Sequence, residues 1–315
     1  MGVFGGQPGS RAVLRLPVKI MLLLVAAWLL VLCVGYAQQF QNPFSRYEPV
    51  HIDIDELPRM PTLHLVGDSS MCRGGTNNGV KGVKYEGWGE FAQDYFECKV
   101  TSYAISGRSS RMYTWEGRFD RVFNATKPGD YVVMQFGRND KGKLRPKDNG
   151  KAVCPGRELN RTCRSIFKGK KVDVLTFGGY LANATARFRE LGANVIIAAP
   201  TNNNPYGAGD SFYAKPTEWG PLSKITAEVL NLTWVDHFLY GTEMMRRLGK
   251  NETQKLYPVQ ADRSHTNPLG ADFMARAFVR GLMCTDSGLS RYVNATAAQR
   301  ITGGCLPEMA QDYQG

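Results

Sequence analysis

Thr62-Leu63-His64-Leu65-Val66-Gly67-Asp68-Ser69 is a short apolar run, closed by Gly-Asp and followed at once by a serine. A run of this length bounded by turn residues reads as a buried strand. A serine directly after such a strand can hold its hydroxyl above the sheet edge, where a backbone N–H meets a developing oxyanion. Strand–Gly-Asp-Ser turns are common, and this one does not match the Gly-x-Ser-x-Gly elbow. The stretch therefore takes its meaning from the rest of the chain.

Further apolar strands follow at 100–105, 131–136, 194–199 and 232–236. Between them lie helical spacings at 88–96, 117–123, 177–191 (with Gly192 as C-cap) and 222–230, and a final helix at 268–283 has Pro near its first turn. Short apolar strands alternating with helices indicate βαβ units and a parallel sheet covered on both faces. The expected fold is α/β: a three-layer, flavodoxin-like, doubly wound domain with a five-stranded parallel sheet. Such sheets bind ligands beyond the carboxyl ends of their strands. Here those ends read Gly67-Asp68-Ser69, Ser106-Gly107-Arg108, Gly137-Arg138-Asn139-Asp140 and Asn202 to Asn204.

The chain has 315 residues and 43% hydrophobic content, which excludes disorder over most of its length, and no solenoid repeat is visible. Its net charge is +11, from 39 Lys+Arg and 28 Asp+Glu. Residues 138–171 hold 12 basic and 3 acidic residues, so most of that excess sits in one insert. The insert leaves the carboxyl end of the third strand and should border the active face. The alternative is a solvated loop without a ligand.

Arg11, Arg15 and Lys19 precede a 16-residue apolar run from Ile20 to Gly35, slightly short of the roughly 18 residues that argue firmly for a membrane span. Gly35-Tyr36-Ala37 offers a small-x-small cleavage site. A cleaved signal peptide and an uncleaved signal anchor both keep the positive charge cytoplasmic and export the rest. Residues 1–37 are thus a cytoplasmic tail with a signal peptide or anchor, 38–61 a polar, Pro-containing stem, and 62–315 the functional domain. The protein is expected to be secreted, or to be a single-pass type II membrane protein with a lumenal or extracellular domain.

Six sequons support export, at Asn124, Asn160, Asn183, Asn231, Asn251 and Asn294. Cysteine usage agrees. Apart from Cys33 in the apolar run there are Cys72, Cys98, Cys154, Cys163, Cys284 and Cys305, an even count that reads as three disulfides in an oxidising compartment. Short loops favour Cys154–Cys163 and Cys284–Cys305, leaving Cys72–Cys98; scattered free thiols are the alternative. With no Cys-x-x-Cys and four histidines, no metal site is expected. Export makes nucleic acid a poor partner for a basic chain and an extracellular polyanion a natural one.

A serine hydrolase needs a histidine oriented by a carboxylate. His51 lies in the stem and His64 within the first strand. Asp262 and His265 stand three apart on a polar loop before the last helix, which lets the carboxylate reach Nδ1 and leaves Nε2 for a serine. Asp236-His237, at the end of the fifth strand, is the rival pair.

The ordered blocks Gly67-Asp68-Ser69, Gly107, Gly137-Arg138-Asn139-Asp140 and Asp262-x-x-His265 resemble the SGNH (GDSL-type) hydrolases. The segments 107–119, 129–131, 136–140, 235–237 and 265–270 are similar to the rhamnogalacturonan acetylesterases, and the resemblance covers about residues 62–305. It implies Ser69 as nucleophile, His265 as general base and then acid, and Asp262 as its orienting carboxylate. It also implies an oxyanion hole from the N–H groups of Ser69 and Gly107 and the side-chain amide of Asn139. The Cys154/Cys163 and Cys284/Cys305 pairs look like the family's disulfides, whereas Cys72 and Cys98 are an addition. Arg138 departs from the histidine usual before Asn-Asp, a change that bears on specificity.

The implied activity is removal of O-acetyl groups from rhamnogalacturonan, with no cofactor, by a protein expected to be a monomer. The partner is an acidic acetylated polysaccharide. Membrane contact is expected only through an N-terminal anchor. An esterase of the same fold acting on xylan, and a non-catalytic glycan-binding module, are the alternatives.

Overall fold

A computed structural model describes residues 18–39 (with side chains to 32), 59–207, 211–301 and 303–307. His51, the side chain of Cys33 and most of the expected stem lie outside them. The chain divides into two units, 1–59 and 60–315. In the first, the apolar run lies in one helix, α1 (Val18–Gln39). Among the described residues no helix is long and apolar enough to cross a membrane.

In the second unit the strands are β1 (Thr62–Gly67), β2 (Lys99–Ser102), β3 (Tyr131–Gln135), β4 (Thr162–Phe167), β5 (Lys170–Leu175), β6 (Asn194–Ala198) and β7 (Thr233–Val235). Five of them form one sheet in the order β2-β1-β3-β6-β7, with every pairing parallel. This is the flavodoxin-like order, and its direction of winding reverses between β1 and β3.

Alternation along each strand divides the core into two layers, because successive side chains point to opposite faces. Val66, Val132, Met134, Val195 and Ile197 pack on one face with α2 (Ser110–Trp115), α3 (Arg118–Ala125), α4 (Phe177–Glu190) and α5 (Trp219–Val229). Leu63, Leu65, Val133, Ile196 and Val235 pack on the other. There they meet α6 (His237–Leu248) and α8 (Pro268–Leu282); α7 (Lys250–Gln254) follows α6, and α9 (Ala295–Arg300) adds Ala297.

Three differences from the sequence reading have physical causes. Residues 88–96 form two short 3₁₀ turns rather than a helix; the backbone there lies directly against the Ser70–Met71 turn, with Trp88 and Gly89 donating their N–H groups to the carbonyls of Ser70 (3.0 Å) and Met71 (3.1 Å) and a Cβ at Gly89 falling 2.6 Å from the latter oxygen. These two bonds brace the Ser69 turn. The 138–171 insert is not all loop: β4 and β5 pair antiparallel across Lys168-Gly169, whose φ values of 49° and 77° suit a two-residue hairpin turn.

The third difference concerns cysteine. Cys154–Cys163 and Cys284–Cys305 are disulfides, with Cα separations of 5.3 and 5.5 Å, but Cys72 and Cys98 are free and buried. Cys98 precedes β2, whose Lys99 pairs with Thr62 at the amino end of β1, whereas Cys72 lies beyond the carboxyl end of β1. One strand length, about 16 Å at 3.3 Å per residue, separates the two levels, far beyond the reach of a disulfide.

A fully buried ion pair ties the insert to the domain. Arg111 of α2 donates to both oxygens of Asp148 (2.9 and 2.7 Å) and to the Ala152 carbonyl (2.6 Å), and its guanidinium lies 4.0 Å from the centre of the Trp115 ring. Asp148 also accepts from Ser165 Oγ and the Gly150 N–H, each at 2.7 Å. Breaking such a pair strands a buried charge. Asp148→Ala is expected to lose about 3–5 kcal/mol of unfolding free energy in urea titrations. The double replacement Arg111→Met/Asp148→Leu should lose much less, and equal losses in both variants would show that the pairing is not what holds the insert.

Candidate active site

The strand ends converge at the carboxyl rim beside the reversal between β1 and β3. Ser69 sits in the turn after β1. Asp68 shapes that turn: its Oδ1 accepts from the Ser70 N–H and hydroxyl, each at 2.9 Å. Asp68 is itself buried, and desolvation raises its pKa against the hydrogen bonds from Ser70 and the charge of Arg138.

His265 arrives from the loop before α8. Thr266 fixes that loop, donating its hydroxyl to the Glu86 carbonyl and accepting the Glu86 N–H, both at 2.9 Å. Ser69 Oγ lies 2.9 Å from His265 Nε2, and His265 Nδ1 lies 2.8 Å from Asp262 Oδ2. The other Asp262 oxygen accepts the N–H groups of Ser264 (3.0 Å) and His265 (3.1 Å). Burial pushes the Asp262 carboxyl up, but these N–H groups and the imidazole outweigh it and hold the pKa below the ordinary 3.8. The pair is thus set to keep a proton on Nδ1 and present Nε2 to the hydroxyl.

Ser69, His265 and Asn139 line one cavity of about 220 Å³, together with Arg138, Lys141 and Trp219. Gly107, with φ 78°, turns the chain after β2. Ile105 donates to the Gly67 carbonyl at 3.0 Å, which lays this turn along the Ser69 turn, although Gly107 is not among the cavity's lining residues. Among the described residues, no backbone acceptor takes the N–H of Ser69 or of Gly107. Asn139 depends on Gly137, which has φ 127° and lies where a Cβ would fall 2.5 Å from the Trp219 Cβ. Only glycine fits that exit from β3.

The rival pair is used inside the molecule. His237 is completely buried at the start of α6; its Nδ1 lies 2.8 Å from Gln135 Nε2 and its Nε2 2.8 Å from the Met274 carbonyl. Burial pushes its pKa down to about 4, and Asp236 caps α6 by accepting the Leu239 N–H at 2.9 Å. His64 pairs instead with buried Asp130, at 3.0 Å.

Two residues, Gln135 and Asp140, were given no role of their own from the sequence. Gln135 braces the floor: its Oε1 accepts from Trp88 Nε1 (2.8 Å) and its Nε2 donates to the Ala199 carbonyl (2.7 Å). A lone amide in the apolar run 131–136 was its only signal. Asp140 closes the turn that carries Asn139, accepting from the Gly137 N–H (2.9 Å), the Ser110 N–H (2.8 Å) and the Ser110 hydroxyl (2.5 Å). Among the described residues, no group of three or more His, Cys, Asp or Glu is placed to hold a metal ion.

A flavodoxin-like sheet with a Ser–His–Asp chain at its carboxyl rim defines the SGNH class of serine esterases. Within that class, the chain belongs to the rhamnogalacturonan acetylesterase family. It is 35% identical over 245 residues to the rhamnogalacturonan acetylesterase of Emericella nidulans, covering 78% of this chain and 93% of that one. It is also 24% identical over 227 residues to the probable rhamnogalacturonan acetylesterase YesY of Bacillus subtilis (70% and 91% of the two chains). A scan against protein-family models finds no match. The crystal structure of YxiM from Bacillus subtilis shares the fold, with a TM-score of 0.53 and 21% identity over 72% of this chain and 57% of that one, so the present chain spans little more than half of YxiM. The protein is a carbohydrate esterase.

Asp140 gives the site a pH signature. Burial dominates its surroundings and pushes its pKa from 3.8 up to about 7 despite three donors. A carboxyl with a raised folded pKa contributes stability that is present below its unfolded pKa and lost as pH rises through the folded one. Between pH 6 and pH 8 the wild type is expected to lose more stability in urea titrations than Asp140→Asn. Equal losses would place the Asp140 titration outside this window.

Proposed function

We propose that the protein removes O-acetyl groups from rhamnogalacturonan through an acetyl-enzyme formed on Ser69. The observation that carries this reading is the unbroken Ser69–His265–Asp262 hydrogen-bond chain, 2.9 and 2.8 Å, between residues 196 positions apart. Ser69 Oγ attacks the acetyl carbonyl while His265 Nε2 takes its proton, and Asp262 steadies the imidazolium that results. The oxyanion is met by the N–H groups of Ser69 and Gly107 and by the Asn139 amide, each such donor being worth about 2.7–4 kcal/mol in the transition state. His265 then protonates the departing sugar oxygen, and water, activated by the same ring, releases acetate.

Family membership supports a pectic substrate, and charge supports it independently. The basic insert reaches the Ser69 cavity through Lys141. Its field would draw in a galacturonate-bearing chain over about one Debye length, roughly 8 Å at physiological salt. Export fits as well: the domain follows an apolar segment with a basic flank and holds two disulfides, a bond type that persists in oxidising compartments. Five of the six sequon asparagines are exposed, while Asn294 is half-buried and caps α9, accepting the N–H groups of Thr296 and Ala297. The exported domain is either freed by cleavage near Ala37 or held by the uncleaved segment as a type II protein.

Ser69→Ala should abolish acetate release from rhamnogalacturonan while leaving the circular dichroism spectrum unchanged; turnover retained in this variant would end the assignment. Wild-type release from rhamnogalacturonan should exceed that from acetylated xylan. Raising salt should slow the pectic reaction steeply and hydrolysis of a small neutral acetate ester little. Equal salt dependence for both substrates would remove steering by the insert.

A further inference from the structure

The Ser69 cavity continues on both sides, and the two sides differ in charge. Toward the insert, a cavity of about 390 Å³ shares Lys141 and Trp219 with it and carries both signs, Arg157 beside Glu218 and Asp140. On the far side, a cavity of about 360 Å³ shares Arg138, Asn203 and Thr217. Among its described lining residues are three cations, Arg138, Lys215 and Arg263, and no carboxylate. None of the three cations is in an ion pair among the described residues.

Arg138 is held in place rather than free. Its Nη1 donates to the Thr201 carbonyl at 2.6 Å and its Nη2 to Asn203 Oδ1, and the same Asn203 oxygen accepts the Ser264 hydroxyl at 3.0 Å. Those bonds use two of the five N–H donors of a guanidinium and leave three without a protein partner among the described residues. The side chain is half-buried, so its rotamer entropy is largely lost before a ligand arrives. It stands one residue before Asn139, which lines the Ser69 cavity. Tyr213, 71% exposed, adds an aromatic ring to the same cavity.

We propose that this cavity is an anion subsite in which Arg138, supported by Lys215 and Arg263, binds the carboxylate of a uronic acid unit of the acetylated polymer. A planar guanidinium matches a carboxylate in two parallel N–H···O bonds, which fixes orientation as well as affinity. The rest of the insert then supplies long-range attraction, while register along the polymer is read at Arg138 and the two cations beside it. This inference rests on the pectic reading above and deepens it, because it places recognition of the polymer's carboxylates on named residues.

The test compares one acetylated rhamnogalacturonan oligosaccharide in two forms, with its uronate carboxyls free and as methyl esters, by kcat/KM for acetate release. The wild type should prefer the free acid by roughly ten- to a hundredfold, the range expected for hydrogen bonds to a charged group. Arg138→Gln should bring the ratio close to one, Arg138→Lys should restore part of it, and Arg263→Gln should lower it less. Fluorophosphonate labelling of Ser69 in each variant verifies an intact triad. The Arg263→Gln/Lys215→Gln pair, on the exposed side of the cavity, carries the same comparison if Arg138→Gln does not fold. Equal rates on the two forms by the wild type, or a preference undiminished in the variants, would overturn the subsite while leaving the esterase reading in place. Failure of the wild type on both forms, with activity on a small acetate ester, would instead overturn the pectic substrate and the subsite with it.

Discussion

The contact between Ser69 Oγ and His265 Nε2, 2.9 Å across 196 positions of sequence, is the constraint to which the rest of the domain is fitted. Neither residue is held by its own element alone. The serine turn is shaped by Asp68 and braced from the side by the N–H groups of Trp88 and Gly89. The histidine loop is bonded through Thr266 to Glu86, next to that brace. The segment from 86 to 89 is therefore a shared strut that fixes two loops against each other. Positioning of this kind matters because a misplacement of about 1 Å can cost a hundredfold in rate.

Buried polar groups do most of that positioning. Gln135 joins Trp88, Ala199 and His237 beneath the rim, and Asp140 ties the Asn139 turn to the start of α2. Each of these side chains is almost completely buried, where an unmet donor or acceptor is costly. Their bonds consequently leave few alternative geometries for the loops above. The insert is fastened on the same principle, by the Arg111–Asp148 pair, which lets a strongly basic segment keep a fixed place beside the cavity instead of swinging in solvent.

The sheet was legible because each parallel strand is a short apolar run ended by Gly, Pro or a polar turn, and the five runs fell in the observed places. The Asp262–His265 contact was legible from spacing, whereas a strand–Gly-Asp-Ser turn is common and Ser69 was singled out by the ordered blocks that resemble the SGNH hydrolases; the structure joins the three side chains by hydrogen bonds. What was not legible depends on contacts far apart in sequence. The 3₁₀ turns at 88–95 pack against Ser70 and Met71, whose carbonyls accept from Trp88 and Gly89, a contact that no local periodicity reveals. The Cys72–Cys98 bridge was inferred by elimination, and counting cysteines carries no information about which end of a sheet each one occupies. The α4 and α8 helices, by contrast, announce themselves by length, with Gly192 past the end of one and Pro268 in the first turn of the other, and the structure adds their N-caps, Thr176 and Asn267 accepting the Gly179 and Gly270 N–H groups. The division of charge between the two flanks of Ser69 was likewise hidden, because Arg138, Lys215 and Arg263 are brought together only by the fold.

The most direct test of the central contact is the site and rate of covalent capture. Treatment with a fluorophosphonate followed by peptide mass mapping should place a single adduct on Ser69 in the wild type. The same treatment of His265→Ala should leave Ser69 essentially unmodified, because its hydroxyl would have lost the base that activates it. An adduct on another residue, or capture of Ser69 at the wild-type rate without His265, would contradict the account.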